Sequence, residues 1–155
     1  MSLLEDEVIG VYADHQRNAG ALVLAEGGNQ MRAFRFMTST KRRKAPDLAL
    51  YRDGVLSIFE AKIRPADLFR LGNDGLSDYA AMNEISENPE IQKQFIAEAS
   101  RRLRACGYSG PPPTTVHLGL IAAGPILKHL PKLASSRLLL INVSVESKSW
   151  VVETR

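Results

Sequence analysis

Cysteine is nearly absent from this chain of 155 residues, which contains Cys106 and no second one. A lone cysteine excludes an internal disulfide and fits a reducing compartment, so we expect a cytoplasmic protein. Long apolar runs are also lacking, since none approaches the roughly 20 residues that a membrane-spanning helix needs. The first residues, MSLLEDEVIG, are acidic and do not follow the pattern of a signal peptide. The sequence therefore predicts neither secretion nor insertion into a membrane.

Neither sign of charge dominates the chain. It has 20 Lys and Arg against 17 Asp and Glu, and a net charge of +3 is too small to identify a nucleic-acid-binding protein by itself. The three histidines, His15, His117 and His129, show no metal-ligand spacing. The chain also lacks a phosphate-binding loop, a dinucleotide fingerprint and a nucleophile elbow. These absences leave little support for the chemistries that such motifs carry.

The composition that remains is that of a globular protein, with 45% hydrophobic and 24% charged residues. A chain of this length suits one domain over residues 1–155, with a single hydrophobic core. Its periodicities predict the order α, three β, α and then further β. We therefore expect the α/β fold class, with a mixed central sheet flanked by helices.

The first third of the chain is predicted to contain a helix and a strand before the central hairpin. Apolar residues recur at steps of three and four from Leu4 to Val23, which predicts a long helix ending at Gly27-Gly28. The segment ALVLAE at the end of this stretch is also compatible with a short strand. Alternation of phenylalanine with other residues in MRAFRFM, residues 31–37, predicts a strand.

The second half is predicted to contain one long helix and several strands. Asn88 is a good N-cap and Pro89 suits the first helical position, and a buried stripe is expected from Ile91 to Cys106. Other segments give shorter predictions: helices after Pro65, in LSDYAAMNEI and over residues 125–133, and strands in TVHLGLIAA, RLLLINVSV and SWVVET.

The segment PDLALYRDGVLSIFEAK, residues 46–62, contains Asp53-Gly54 between two apolar runs. Asp-Gly favours a two-residue hairpin turn of type I′. In the resulting register, Asp47 lies directly opposite Glu60, and such partners point to one side of the sheet with Cβ atoms roughly 4.5–5.5 Å apart. Lys62 lies two residues beyond Glu60 and points to the same side. The turn therefore gathers two carboxylates and one ammonium group.

Asp47 and Glu60 should not lie together without a cation. Like charges directly opposite one another destabilise a sheet, and burial increases the cost. Lys62 can offset one negative charge, whereas a divalent cation can offset both. Oxygen ligands with no histidine or thiolate beside them select Mg²⁺ or Mn²⁺ over zinc. We therefore expect a metal site, because the apolar run VLSIF argues against a solvated surface hairpin.

The pattern of PD, twelve residues and then EAK resembles the signature of the PD-(D/E)XK, or restriction-endonuclease-like, nuclease superfamily. In that superfamily the motif lies on a strand–turn–strand hairpin that follows a helix and a first strand, as predicted here. The resemblance covers residues 3–106 in element order, and its specificity rests on Asp47, Glu60 and Lys62. It implies a restriction-endonuclease-like αβββαβ core. It also implies metal-dependent hydrolysis of phosphodiester bonds in nucleic acid, with DNA favoured over RNA.

The resemblance assigns a role to each residue of the motif. Asp47 and Glu60 would be ligands of the Mg²⁺ or Mn²⁺ ion, together with the backbone carbonyl of Ala61. The bound ion would acidify a water molecule and polarise the phosphoryl oxygen. Lys62 would stabilise the attacking hydroxide and contact the phosphate.

Members of this superfamily often add an acid from the first helix. Glu5 and Glu7 are the candidates here, and Glu7 is preferred because it lies further into the predicted helix. Either acid could instead complement the dipole of the helix. Some members also carry a glutamine on the later helix, where Gln92 and Gln94 lie, but their spacing matches poorly and a solvated face is favoured.

Positive charge near the motif would bind the phosphates of the substrate. Arg64 follows the motif on the side of Lys62, and a second basic cluster on the later helix contains Arg101, Arg102 and Arg104. A basic run is often only a solvated loop, but beside this motif we expect contact with DNA. The expected contacts are Arg64, on the face of Lys62 if the strand extends that far, and four residues before the hairpin: Lys41, Arg42, Arg43 and Lys44.

An alternative function stays open at this point. The chain could be a non-catalytic subunit of nuclease fold that binds nucleic acid or a partner protein in a repair, transposition or restriction system. A homodimer is compatible with cleavage of both strands, and so is a place in a larger complex. The intact set of Asp47, Glu60 and Lys62 favours the enzyme, because an inactive site has no reason to keep opposed carboxylates.

Overall fold

A computed structural model describes residues 4–132 and 137–154. The α-helices are α1 (Glu5–Asn18), α2 (Asp78–Ser86) and α3 (Pro89–Ala105). Short 3₁₀ helices cover Gly28–Phe34, Pro65–Phe69 and Leu127–His129. The strands are β1 (Leu22–Glu26), β2 (Phe36–Met37), β3 (Arg43–Lys44), β4 (Leu48–Arg52), β5 (Val55–Lys62), β6 (Thr115–Ala122), β7 (Leu138–Ser144) and β8 (Ser149–Glu153).

Six of the described strands form a mixed sheet in the order β1-β4-β5-β6-β7-β8. Strands β1, β4 and β5 are antiparallel neighbours, β6 lies parallel to β5, β7 lies parallel to β6, and β8 is antiparallel to β7. Strands β2 and β3 form a separate antiparallel pair. The predicted α/β class with a mixed sheet between helices is therefore confirmed.

Helices cover both faces of the large sheet. Helix α1 packs with Phe59 and Ala61 of β5 in one core cluster, while α2 and α3 pack with Leu56 and Ile58 in the other. Neighbouring residues of a strand point to opposite faces, because the side-chain period of a strand is two. Glu60 consequently belongs to the face that α2 and α3 cover.

The N-terminal part differs from the preferred prediction. Helix α1 ends at Asn18, and Leu22–Glu26 form β1, so the long helix to Val23 was wrong and the alternative strand is confirmed. The segment 31–37 was also predicted incorrectly over most of its length. Met31 and Phe34 are both buried in a 3₁₀ helix, whose period of three brings them to one side, and β2 contains two residues only.

Helix α3 begins at Pro89 as predicted, and the Asn88 side chain accepts hydrogen bonds from N–H groups of its first turn. Cys106, however, is exposed, so its assignment to the buried stripe was wrong. The helix ends at Ala105 and Cys106 is the C-cap, where the helical period no longer directs a side chain to the core. The stripe consists of Ile91, Phe95, Ala99 and Leu103.

The remaining elements largely follow the predictions. The segment after Pro65 forms a 3₁₀ helix, LSDYAAMNEI contains all of α2 but its last residue, and the three expected strands are β6, β7 and β8. Within the piece predicted as helical over 125–133, Leu127–His129 form a 3₁₀ helix, and residue 133 lies outside the described residues. In the described part of the chain, no helix combines the length and apolar character needed to cross a bilayer.

Candidate functional site

The turn between β4 and β5 has the conformation that its sequence predicts. Asp53 and Gly54 both have positive φ, 48° and 88°, as a type I′ turn requires. The two strands keep the predicted register from this turn to the last ladder pair, Leu48 opposite Phe59. Local turn chemistry therefore sets the register of the hairpin up to Leu48 and Phe59.

Asp47 lies one residue beyond the last ladder pair, and the ladder itself does not include the predicted pair of Asp47 with Glu60. The Asp47 N–H donates to the Phe59 carbonyl oxygen at 2.8 Å, and Asp47 Oδ2 accepts from the Ala61 N–H at 2.8 Å. These two bonds hold the Asp47 side chain against the end of β5. The side chains of Asp47 and Glu60 lie within hydrogen-bonding reach there, and this contact adds to the effect of burial in raising the pKa of Glu60. The structure thus brings the two predicted carboxylates together.

Asp47, Glu60, Lys62 and the charged residues that contact them form what we call the carboxylate cluster. Glu60 is its most deeply buried member, with 4% of the residue exposed. Burial raises the pKa of Glu60 well above 4.5, and a hydrogen bond to Asp47 and the charge of Asp47 raise it further. Among the described residues, Glu60 Oε2 has no hydrogen-bond partner, although Lys44 Nζ lies 3.5 Å away. This buried acceptor is the kind of group that a bound cation satisfies.

Lys62 lies at the end of β5 on the same side as Glu60. Its Nζ is 3.6 Å from Asp78 Oδ2 and 3.9 Å from Glu5 Oε1. Burial would lower the pKa of Lys62, but the charges of Asp78 and Glu5, followed by those of the hairpin acids, outweigh it and raise the pKa. Lys62 is therefore an ammonium ion at neutral pH, suited to stabilising negative charge rather than to removing a proton.

Asp78 is a site residue that the sequence reasoning missed. It is the first residue of α2, directly after the N-cap Ser77, and its side chain is 15% exposed. It contacts Lys44 Nζ as well as Lys62. An acid after a serine cap was visible in the sequence, but it also fits a helix terminus with no other role. Only the packing of α2 on the sheet brings this acid to Lys62.

The structure places Glu5, not the preferred Glu7, beside Lys62. Glu7 is exposed, whereas Glu5 is partly buried. Burial raises the pKa of Glu5, Lys62 opposes this effect, and the charges of Asp47 and Asp78 add to it. Residues two positions apart point in nearly opposite directions around an α-helix, because each residue rotates by about 100°. The position around the helix, rather than the depth along it, therefore decides which of the two acids lies beside Lys62.

The predicted basic contacts divide into two groups. Lys44 lies inside the cluster, against Asp78 and near Glu60, and these acids keep the pKa of Lys44 raised although burial alone would lower it. The others are exposed: Lys41, Arg42, Arg43 and Arg64. The Arg64 side chain donates to Asp67 at 3.2 Å.

Two further groups noted in the sequence have structural partners. Gln92 donates to the carbonyl oxygens of Ile85 and Ser86, which end α2. Arg102 donates to the Leu24 and Gln30 carbonyl oxygens. These contacts fix α3 to its neighbours and lie away from the carboxylate cluster.

An open cleft of ≈ 300 Å³ borders the cluster and is lined by Lys62, Asp78, Asp67 and Arg70, among others. A phosphate group can approach Lys62 through it. A larger cleft of ≈ 510 Å³ lies beside Gly27 and is lined by two acids, Asp6 and Glu26. Its negative charge makes it a poorer place for a phosphate than the cleft with Lys62 and Arg70.

The donor set was tested for its fit to a divalent cation. Over residues 4–132 and 137–154, no group of three or more His, Cys, Asp and Glu side chains has the arrangement of a complete metal site. Asp47 and Glu60 offer two carboxylates, and Mg²⁺ commonly uses one or two carboxylates together with water and substrate phosphates. The unsatisfied Glu60 Oε2 is consistent with such a partial site. The donors present therefore suit Mg²⁺ or Mn²⁺ bound together with a phosphate.

Comparisons with known proteins do not assign the chain to a family. No model of a protein family matches it, and no curated protein sequence matches it. Functional inference therefore depends on the residues and their geometry.

Proposed function

We propose that this protein is a metal-dependent nuclease of the PD-(D/E)XK, restriction-endonuclease-like superfamily, with DNA favoured over RNA. One observation carries the proposal: Glu60 is buried beside Asp47 at the end of a hairpin, with Lys62 on the same side of the sheet. A buried carboxylate pair is costly unless it binds something positive. In a nuclease that binds Mg²⁺ or Mn²⁺, the cation offsets the energetic cost of this carboxylate pair.

The order of elements supports the same proposal. Leaving out the β2–β3 pair and α2, the chain runs α1, β1, β4, β5, α3 and β6, which is the αβββαβ order that the sequence resemblance implies. Strands β1, β4, β5 and β6 are neighbours in the sheet in this order. The motif residues lie on β5 and just before β4, at the end of the hairpin.

In the proposed mechanism, Asp47 and Glu60 would hold the cation, and the carbonyl oxygen of Ala61 would be a further ligand. When bound, the cation supplies an acidified water molecule and a polarised phosphoryl oxygen. The Lys62 ammonium faces the cleft and stabilises the negative charge that builds on the attacking oxygen and the phosphate. Glu5 and Asp78 keep Lys62 protonated and in place, since both lie within 4 Å of its Nζ.

The decisive experiment measures Mg²⁺- and Mn²⁺-dependent cleavage of several DNA and RNA forms by the wild type and by Lys62→Ala. The variant should lose about 100-fold to 1,000-fold in rate, because it lacks a donor to the developing charge. Lys93→Ala, an exposed lysine on α3, is the matched control and should cleave like the wild type.

Two outcomes would count against the proposal. Equal cleavage by the wild type and Lys62→Ala would remove the proposed mechanism. Metal-independent binding of nucleic acid without cleavage of any substrate would favour the alternative, a non-catalytic subunit of a repair, transposition or restriction system.

A further inference from the structure

Three arginines surround an open cleft of ≈ 340 Å³ beside the β2–β3 pair. Arg32 comes from the 3₁₀ helix before β2, Arg35 directly precedes β2, and Arg43 lies on β3. Gln94 of α3 and Met37 of β2 also line the cleft. All five side chains belong to exposed residues, so the cleft presents its positive charge to solvent.

The charge of this arginine cleft is not neutralised within the described part of the protein. The side chains of Arg32, Arg35 and Arg43 form no ion pair with any described acid. Six other arginines differ, because their guanidinium groups each lie within 4 Å of a carboxylate: Arg17, Arg52, Arg64, Arg70, Arg101 and Arg102. Arg42, Arg104 and Arg137 also lack an ion pair with a described acid, but they do not line this cleft. Three like charges around one cleft repel one another, and an anion between them would offset that repulsion.

The backbone that carries these arginines is held firmly. Phe34 and Phe36 are buried, and both rings pack edge-on against Phe95 of α3, with centroids 5.8 and 6.1 Å apart respectively. Arg35, between the two phenylalanines, is consequently directed outwards. Arg43 is fixed by its pairing with Met37 in the β2–β3 ladder. The backbone that carries the arginines is therefore fixed before any ligand binds, which lowers the part of the entropic cost of binding that comes from ordering the backbone.

We infer that the arginine cleft binds the sugar-phosphate backbone of nucleic acid on one side of the carboxylate cluster. This inference rests on the proposed nuclease function and names a second contact for its substrate. Guanidinium groups match phosphate oxygens in a bidentate geometry, and Gln94 adds a neutral donor. The exposed Met37, 48% accessible, offers an apolar contact for a sugar or base.

Continuity along β3 is the reason for choosing a polymeric anion. Arg43 and Lys44 are adjacent, so their Cα atoms are about 3.8 Å apart, and their side chains point to opposite sides of the strand. Lys44 contacts Asp78 in the carboxylate cluster, while Arg43 lines the cleft. A chain of phosphates passing over β3 can contact both places, whereas one isolated phosphate cannot.

The test measures binding of fluorescent single-stranded and duplex DNA in EDTA over a series of salt concentrations. Arg32→Gln/Arg35→Gln should weaken binding about 30-fold near 0.1 M salt, since each phosphate contact contributes roughly a factor of 5 to 8 there. The slope of log affinity against log salt should fall by about 1.4 to 1.8. Arg52→Gln/Arg104→Gln is the control, because it removes the same charge at exposed positions outside the cleft.

A second measurement uses the wild-type protein and needs no variant to fold. Bound DNA should protect Arg32, Arg35 and Arg43 from phenylglyoxal and leave Arg52 and Arg104 reactive, as mass spectrometry of the modified peptides would show. Equal weakening by the two double variants, or equal protection of all five arginines, would overturn the inference. So would binding to anionic lipid vesicles but not to DNA.

The experiments separate this inference from the proposed activity. If Lys62→Ala abolishes cleavage but Arg32→Gln/Arg35→Gln binds DNA like the wild type, the nuclease proposal stands and the arginine cleft is not a substrate contact. If no substrate is cleaved with any metal while DNA binding still depends on Arg32 and Arg35, the cleft is confirmed and the catalytic proposal fails.

Discussion

Lys44 Nζ lies 3.5 Å from Oε2 of Glu60, although Lys44 belongs to the small β2–β3 pair and Glu60 to the large sheet. Lys44 also contacts Asp78, which holds its ammonium group beside the buried acid. The lysine partly offsets the charge that Asp47 and Glu60 bring together. A segment outside the hairpin therefore helps the protein tolerate the carboxylate pair.

The first prediction concerns the stability of the metal-free protein. Glu60 has a raised pKa in the folded state, so the folded protein binds this proton more tightly than the unfolded chain does. The stability that this proton on Glu60 contributes is fully present below the ordinary pKa of 4.5. It is lost as the pH rises from 4.5 towards the pKa of Glu60 in the folded protein. Glutamine cannot ionise, so Glu60→Gln should avoid this loss. Its free energy of unfolding, relative to the wild type, should increase with pH.

Denaturant unfolding in EDTA at several pH values measures this difference. Glu7→Gln, a change of the same kind at an exposed position, is the control and should follow the wild-type curve. Parallel pH profiles for Glu60→Gln and the wild type would contradict the assignment of a raised pKa to Glu60.

The second prediction concerns binding of the cation. Mg²⁺ or Mn²⁺ should raise the melting temperature of the wild type, because a ligand that binds only the folded state stabilises it, by about 2.7 kcal/mol at 100 times the dissociation constant. Asp47→Asn should lose most of this shift, since it removes one of two charged oxygen ligands. Asp53→Asn makes the same chemical change at the exposed turn and should retain it. Thermal scans with and without metal provide the measurement, and identical shifts in both variants would refute a metal site at Asp47.

The third prediction decides between two acids of α1. Glu5 Oε1 lies 3.9 Å from Lys62 Nζ, whereas Glu7 is exposed. Glu5→Gln should lower the rate of cleavage about 10-fold, because removing a partner that orients a site residue typically costs 10-fold to 100-fold. Glu7→Gln should cleave at the wild-type rate. The opposite ranking of these two variants in single-turnover assays would restore Glu7 as the functional acid.

The fourth prediction concerns Asp78 as a positioning residue. Its charge makes the largest contribution that raises the pKa of Lys62, so Asp78→Asn should lower that pKa. The alkaline limb of the pH–rate profile, where Lys62 loses its proton, should move to lower pH. The rate should also fall about 10-fold to 100-fold. Asp78→Glu keeps the charge and should restore the limb, whereas a reduced rate with an unmoved limb would indicate a merely structural role.

Much of the hairpin could be predicted because its information is local. Asp53-Gly54 selects the turn type, and the turn fixes the register as far as Leu48 opposite Phe59, one residue short of Asp47 and Glu60. The helix start at Asn88 was predictable for the same reason, since the cap bonds N–H groups within the next turn. The segment around Met31 could not be predicted in this way, because a short apolar run fits two structures. A strand buries every second residue, and a 3₁₀ helix buries every third.

The amino-acid sequence by itself determined the turn at Asp53-Gly54 and the register of the hairpin as far as Leu48 and Phe59, the residues next to the two carboxylates, because these interactions involve neighbours within one hairpin. Tertiary structure alone decided that Asp78, Lys44 and Glu5 surround Lys62 and Glu60, and that three arginines share a cleft. Those residues are brought together by the packing of α1, α2 and β3 on the sheet. The physical reason is that this packing depends on apolar contacts distributed over the whole core, which no local pattern of charged residues encodes.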